Sequence, residues 1–166
     1  VNNRKEVNLM KNQLSFFIQS PQFVLMSLRE EYYLAIMAGK KHYEYRTRYL
    51  KERSVAFIYI SKTKKSIVAK IEFGEPIIGD AKTIAMIAEN DEPGSYQGII
   101  DYLYNNVGYA IPIEKITLID EVTLSELQKR FPDIVVPQSY YILDKKPELL
   151  SFLQSREINE SCIKRK

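Results

Sequence analysis

A chain of 166 residues with 45% hydrophobic residues can form one domain around a sizeable core. No apolar run approaches the roughly 20 residues that a membrane span needs, so we expect no membrane partner. One Cys and one His exclude an internal disulfide and a zinc site built from several cysteines. The polar first residues, VNNRKEVN, are not typical of a secretion signal. We therefore predict a cytoplasmic protein without a metal or other cofactor.

The net charge of +3 is unevenly distributed along the chain. Residues 40–70 contain ten Lys and Arg against two Glu, a charge of +8, so the remainder carries −5. This asymmetry predicts one face for a polyanion and an acidic back. The alternative is a solubilising surface whose charges cluster only in the sequence.

The chain begins with a predicted N-terminal helical extension, residues 1–21, in which 9–18 (LMKNQLSFFI) has an amphipathic helical pattern. An apolar strand is predicted over 23–28 and a helix over 30–37. Gly39 follows and can take the left-handed conformation that ends many helices. Three helix residues are predicted to face inward: Tyr33, Ile36 and Met37.

A polar motif follows this helix, Gly39-Lys40-Lys41-His42-Tyr43-Glu44-Tyr45-Arg46, and we predict that a strand begins at Lys41. Because side chains alternate along a strand, Glu44, Arg46 and Arg48 should share one face. With Lys41 entering from the turn, these residues predict the floor of a polar pocket. An exposed, salt-bridged edge strand is the alternative.

This motif resembles the G-x-K-x-x-E-x-R signature of the ASCH family, which belongs to the PUA-like superfamily of small β-barrels. Four residues carry the match: Gly39, Lys41, Glu44 and Arg46. Further segments resemble the family in the same order: FVLMSLREEYYLAIMAGKKHYEYR, VAFIYIS, SIVAKIEFGEPI, GYAIPI and VPQSYYIL. The resemblance implies an α+β fold, a PUA-like mixed β-barrel of about five or six strands with flanking helices, over residues 22–144.

Two strands are predicted after the motif, over 55–61 and 66–73, joined by an exposed hairpin tip at 62–65. Residues 80–106 have helical spacing and are predicted as a helical insertion with two helices, capped by Asp80 and Ser95. The insertion is predicted as a wall or lid over one barrel mouth, or as a cap over the barrel core.

The last third of the chain returns to strands. Residues 109–122 are predicted as a strand in which Pro112 marks a bulge or an edge. Thr123 and Glu126 have the spacing of a capping box before a short helix. The final barrel strand is predicted over 139–143, followed by a C-terminal helix and basic tail over 145–166, with Pro147 opening the helix.

The basic stretch predicts nucleic-acid binding, because Lys and Arg neutralise phosphates and aromatic rings stack on unpaired bases. Tyr49 is the predicted stacking residue. The residues do not separate RNA from DNA, and the resemblance favours RNA or a modified nucleotide as the partner. The predicted contacts are Lys41, Glu44, Arg46, Arg48, Tyr49, Lys51, Arg53, Lys62, Lys64 and Lys65.

The resemblance also implies an enzymatic alternative, since some ASCH members are amidohydrolases that act on acylated cytidine. Lys41 matches their catalytic Lys, and Glu89 resembles their downstream acid. Glu44 stands where those enzymes have a Thr, so the expected hydroxyl is missing. A neighbouring carboxylate also stabilises the ammonium form of Lys41 and should oppose a lowered pKa. We therefore predict that this activity is weak or absent.

Two further alternatives remain open at the level of sequence. Carboxylates alone can hold Mg²⁺, which would allow a nuclease that uses Glu44, Glu72 and Glu89. A sensor of a small anionic ligand would instead use Arg46 and Arg48 at the barrel mouth.

Overall fold

A computed structural model describes residues 20–158. The predicted helix over 9–18 and most of the basic tail lie outside these residues. The strands are β1 (Gln22–Leu28), β2 (Tyr43–Arg46), β3 (Ser54–Ile60), β4 (Ser66–Phe73), β5 (Ile77–Gly79), β6 (Gly108–Thr123) and β7 (Tyr140–Ile142). The helices are α1 (Glu30–Met37), α2 (Ala81–Asp91), α3 (Tyr96–Leu103), α4 (Leu124–Arg130) and α5 (Pro147–Gln154), with a 3-10 turn at Leu143–Lys145.

Six strands form one curled sheet in the order β2-β6-β4-β3-β1-β7, and the short β5 pairs beside them with β6. β1 and β3 run parallel, whereas the other pairs are antiparallel. The sheet is therefore mixed and forms a half-barrel. The prediction of an α+β fold with a mixed, barrel-like sheet of five or six main strands is confirmed.

The sheet is covered on both faces, which explains why β1 is apolar at successive positions. Val24 and Met26 point into the half-barrel, whose core also contains Ile58. Leu25 points to the other face, where it belongs to a second cluster with Leu153 of α5. Alternating side chains thus serve two cores.

The 16-residue strand β6 connects the motif strand to the rest of the sheet. Its later part, from Ile113 onward, pairs with β4, whereas residues 108–112 pair with β2 and β5. The register shifts where β4 residues Glu72 and Phe73 face β6, immediately beyond Pro112. The bulge therefore lies just after Pro112, which itself pairs in register with Tyr43.

The helical insertion packs against β2. Ile84 of α2 and Leu103 of α3 form a third buried cluster with Ala110, against which the motif tyrosines Tyr43 and Tyr45 pack. Asp80 caps α2 by accepting a hydrogen bond from the Thr83 amide at 2.8 Å, as predicted. The predicted cap at Ser95 is wrong, because the Ser95 side chain makes no capping bond.

Helix boundaries elsewhere follow the sequence closely. Tyr33 and Ile36 of α1 are buried, but Met37 is exposed, contrary to prediction, because the short helix turns only a narrow stripe inward. The Thr123 hydroxyl accepts from the Glu126 amide at 3.1 Å, as the capping box predicted.

Within residues 20–158, every helix is too short or too polar to span a bilayer.

Candidate functional site

The turn after α1 places the motif side chains. Gly39 takes a φ of 68°, which lets the amides of Lys40 and Lys41 both donate to the Ala35 carbonyl, at 2.9 and 3.2 Å. The strand begins at Tyr43, two residues later than predicted. His42 is held by the carboxylate of Asp91 at the end of α2, through its backbone amide at 3.0 Å and its ring nitrogen Nδ1 at 2.6 Å.

Lys41, Glu44 and Arg46 form one buried cluster, as the alternation predicted. Lys41 Nζ lies 3.7 Å from Glu44 Oε2. Arg46 Nε lies 2.8 Å from Glu44 Oε1, although its N–H is not directed at that oxygen, so the contact is an ion pair. β2 is an edge strand, as the alternative required, but Lys41 is 9% exposed and Glu44 is 5% exposed, so this polar face is buried and not solvated.

The ammonium group of Lys41 is removed from water. Its Nζ lies 4.6 Å from the centroid of the Tyr45 ring and 5.3 Å from that of Tyr32. Burial lowers the pKa of Lys41, outweighing the opposite effect of Glu44 and of the nearby Asp91. The Glu44 carboxylate opposes a lowered pKa, as predicted, but the effect of burial is larger.

Both terminal nitrogens of Arg46 donate hydrogen bonds within the protein. Nη2 donates to the Ser27 carbonyl of β1 at 2.9 Å, and Nη1 donates to the Ser139 hydroxyl at 3.2 Å. The guanidinium thus connects β2 with β1 and with the segment that enters β7. This side chain is both a cross-link of the half-barrel and a wall of the cleft described next.

A cleft of about 660 Å³ opens beside Arg46. Of the predicted floor, Arg46 and Arg48 line the cleft, whereas Lys41 and Glu44 do not. Its walls combine basic and aromatic side chains from the motif strand, α3 and the β7 region. The lining residues are Arg46, Thr47, Arg48, Tyr102, Ser139, Tyr140, Tyr141, Ile142, Lys145 and Lys146.

Sequence reasoning missed most of this lining. The signal was a Tyr140-Tyr141 pair followed closely by Lys145-Lys146, which repeats the basic and aromatic combination seen in residues 40–70. Tyr102 carried no such signal, because its position depends on how α3 packs.

Tyr49 is a core residue and not an exposed stacking platform, so that prediction is wrong. It is 4% exposed, and its hydroxyl lies 2.7 Å from Ser54 Oγ. Its ring packs against Tyr140 and Phe73, with centroids 4.9 and 6.0 Å apart. The Tyr49 ring is therefore enclosed by the core.

The other predicted basic contacts lie on the surface. Arg53 forms an ion pair with Glu114 of β6. The lysines of the hairpin tip lie in the turn that connects β3 to β4. This turn starts beside the end of β1, because the Ser61 amide donates to the Leu28 carbonyl at 3.2 Å. Leu28 follows Ser27, the carbonyl partner of Arg46, so this tip is close to the cluster along β1. The exposed lysines are Lys51, Lys62, Lys64 and Lys65.

Glu89 has a structural task. Its carboxylate accepts hydrogen bonds from the amides of Gly94 and Tyr96, each at 2.9 Å, at the start of α3. It is not among the carboxylates whose charges act on Lys41.

Among residues 20–158, no group of three His, Cys, Asp or Glu side chains could hold a metal ion. The cluster of Glu44, Glu72 and Glu89 that a metal-dependent nuclease would need is therefore not formed.

Solved structures of ASCH proteins share this architecture. Crystal structures of ASCH from Zymomonas mobilis and of a serine-to-alanine mutant of that protein superpose with TM-scores of 0.66 and 0.67, at 24% and 23% identity. They cover 78% and 81% of this chain and 94% and 99% of their own. This chain has the ASCH-domain fold.

The ASCH fold predicted from the motif is thus confirmed. An NMR structure of a Rhodopseudomonas palustris protein is a more distant neighbour, with a TM-score of 0.50 and 15% identity over 84% of this chain and 97% of its own. No family model matches the sequence, and no curated protein matches it.

Proposed function

We propose that this ASCH-fold protein binds single-stranded nucleic acid, RNA in particular, in the cleft beside Arg46. The observation that supports this most directly is the composition of the cleft, which brings four cationic side chains and three tyrosines around about 660 Å³. The cations are Arg46, Arg48, Lys145 and Lys146, and the tyrosines are Tyr102, Tyr140 and Tyr141.

The charge of the cleft favours a phosphate-bearing ligand. Arg48, Lys145 and Lys146 come from two separate segments and are exposed, so they can contact a phosphate backbone. Lys146 Nζ also lies 5.6 Å from the centroid of the Tyr141 ring, at the same wall of the cleft. Arg46 is already hydrogen-bonded, and Glu44 neutralises part of its charge. We therefore assign the contacts to the phosphate backbone to Arg48 and the two lysines. Arg46 is held in place by its protein partners and forms part of the cleft wall.

The aromatic part favours single strands over duplexes. Bases can stack on tyrosine rings only when they are not already stacked and paired within a helix. Tyr102 is half exposed within the same cleft as the basic residues. The basic side chains and the tyrosine ring can therefore contact the same bound strand.

The test is fluorescence anisotropy with short RNA and DNA oligonucleotides at two salt concentrations. Arg48→Gln should weaken binding roughly tenfold, as expected from losing a charge-assisted hydrogen bond of about 1.5 kcal/mol. Arg130→Gln is the matched control, because Arg130 is exposed beside Phe152 at a different cavity. Folded protein that binds none of the oligonucleotides in low salt would contradict the proposal and favour the small anionic ligand.

A second candidate is the amidohydrolase activity that the ASCH resemblance implies. The lowered pKa of Lys41 favours it, because a neutral amine can accept a proton. Incubation with N4-acetylcytidine tests it directly. Acetate release that disappears in Lys41→Met would make this the primary activity, whereas no release would leave Lys41 as a structural residue.

A further inference from the structure

Tyr102 is held at the cleft by its neighbour in α3. Leu103 is fully buried and packs so closely against β6 that a Cβ on Gly108 would lie 2.5 Å from Leu103 Cδ1. This contact fixes the end of the helix against the sheet. Tyr102 itself is 50% exposed and lines the cleft together with Tyr140 of β7. A rigid anchor beside an exposed aromatic ring is what a preformed stacking platform requires.

The next aromatic residue, Tyr104, has an unfavourable backbone. Its φ of 53° and ψ of −124° lie in the mirror image of the extended region, which glycine adopts freely and an L side chain does not. The side chain is also 74% exposed, so burial does not compensate for this conformation. Strain retained at an exposed position, two residues from a cleft, is a reason to look for function.

We infer that the C-terminal end of α3 is the base-binding part of the cleft, with Tyr102 stacking on one unpaired base and Tyr104 extending the aromatic surface to the next nucleotide. This inference deepens the proposed function and rests on it. The phosphates then lie along Arg48, Lys145 and Lys146, and the helical insertion acts as the wall that selects single strands.

The first test uses a six-nucleotide oligouridylate that carries one 2-aminopurine, placed in turn at each position. Stacking on Tyr102 should quench the fluorescence at one position only. Tyr102→Ala should abolish that quenching and weaken binding about 5- to 150-fold, the range for one base–aromatic stack. Tyr102→Phe, which keeps the ring, should retain both, and Met86→Ala, an exposed residue of α2 outside the cleft, is the control.

The second test is Tyr104→Gly. Glycine tolerates the observed φ and ψ, so this variant should unfold at the same or a higher urea concentration, yet bind the oligonucleotide more weakly. Unchanged affinity would remove Tyr104 from the site. If Tyr102→Ala bound the oligonucleotide as tightly as the wild type and retained the quenching, the inference would be overturned, although nucleic-acid binding itself would stand. Absence of binding by the wild type would instead defeat the proposed function.

Discussion

The guanidinium of Arg46 on β2 donates to the backbone carbonyl of Ser27 on β1 at 2.9 Å. In the sheet order these two strands are separated by β6, β4 and β3, so the bond spans the opening of the half-barrel. The same side chain contacts Glu44, which in turn contacts Lys41. The signature residues therefore hold the curl of the sheet as well as shaping a wall of the cleft.

Arg46→Met should destabilise the protein by about 3 kcal/mol, because it removes the cross-link and takes one of two ion-pair partners within residues 20–158 from the buried Glu44. Urea denaturation followed by circular dichroism measures the change. Arg48→Met, at an exposed position of the same segment, should change stability by less than about 0.5 kcal/mol. Equal effects of the two substitutions would show that the cross-link does not contribute.

Lys41→Met should change how stability depends on pH. The pKa of Lys41 is lowered in the folded protein from its ordinary 10.5. Between the lowered pKa and 10.5, folding therefore releases a proton, and the wild type gains stability as pH rises through this range. Relative to Lys41→Met, the wild type should therefore be more stable at pH 9.5 than at pH 7. The comparison between the two proteins cancels the tyrosine titrations. A difference that is independent of pH would mean that the amine keeps its ordinary pKa.

The sequence predicted the polar cluster because its geometry is local. Strand alternation alone puts Glu44 and Arg46 on one face, and the glycine turn adds Lys41. Tyr49 was misplaced because it follows the strand in an irregular segment, where no periodicity assigns a face. Glu89 was matched to the downstream acid of the amidohydrolases by resemblance alone. In the structure Glu92 and Asp91, together with Glu44, are the acids whose charges act on Lys41, whereas Glu89 binds the amides at the start of α3.

The cleft itself could not be derived from the sequence. Its walls come from positions 46–48, 102 and 139–146, which are far apart in the chain and meet only through the packing of α3 and the pairing of β7 with β1. Periodicity assigns a residue to the inside or outside of one element, but it does not say which elements become neighbours.

Tyr49→Phe should cost about 1 kcal/mol of stability, since it deletes the buried hydroxyl that pairs with Ser54 Oγ. It should leave nucleic-acid affinity unchanged, because the ring lies within the core. Parallel denaturation and anisotropy measurements check both statements. Weaker binding with unaltered stability would return Tyr49 to the site.

Glu89→Gln should weaken the start of α3 in a pH-dependent way. Hydrogen bonds from the Gly94 and Tyr96 amides lower the pKa of Glu89 below its ordinary 4.5. The wild-type carboxylate therefore adds stability above that pH, and this advantage over Glu89→Gln should disappear as pH falls through the lowered pKa. Thermal unfolding at pH 7 and pH 3 measures it, with the exposed Glu52→Gln as control. An advantage that persists in acid would mean that the carboxylate charge is not what caps the helix.

Two pairs of lysines are candidates for the phosphate contacts. Lys145 and Lys146 line the cleft, whereas Lys64 and Lys65, which the sequence alone favoured, lie at the exposed hairpin tip. For single strands, each phosphate contact contributes about 0.7 to the slope of log affinity against log salt concentration. Replacing Lys145 and Lys146 by Gln should therefore flatten the slope by roughly 1.4 if each of them contacts one phosphate.

This double substitution should weaken binding equally for all oligonucleotide sequences, because phosphates carry no sequence information. The matching double substitution of Lys64 and Lys65 measures whether the ligand extends from the cleft along β1 to the hairpin tip. A flattened slope in both double variants would describe one continuous track, and a change in the cleft pair alone would confine the ligand to the cleft. Lys82→Gln, on the exposed face of α2, should have no effect. A slope that neither pair alters would place the phosphates elsewhere and contradict the assignment of the cleft.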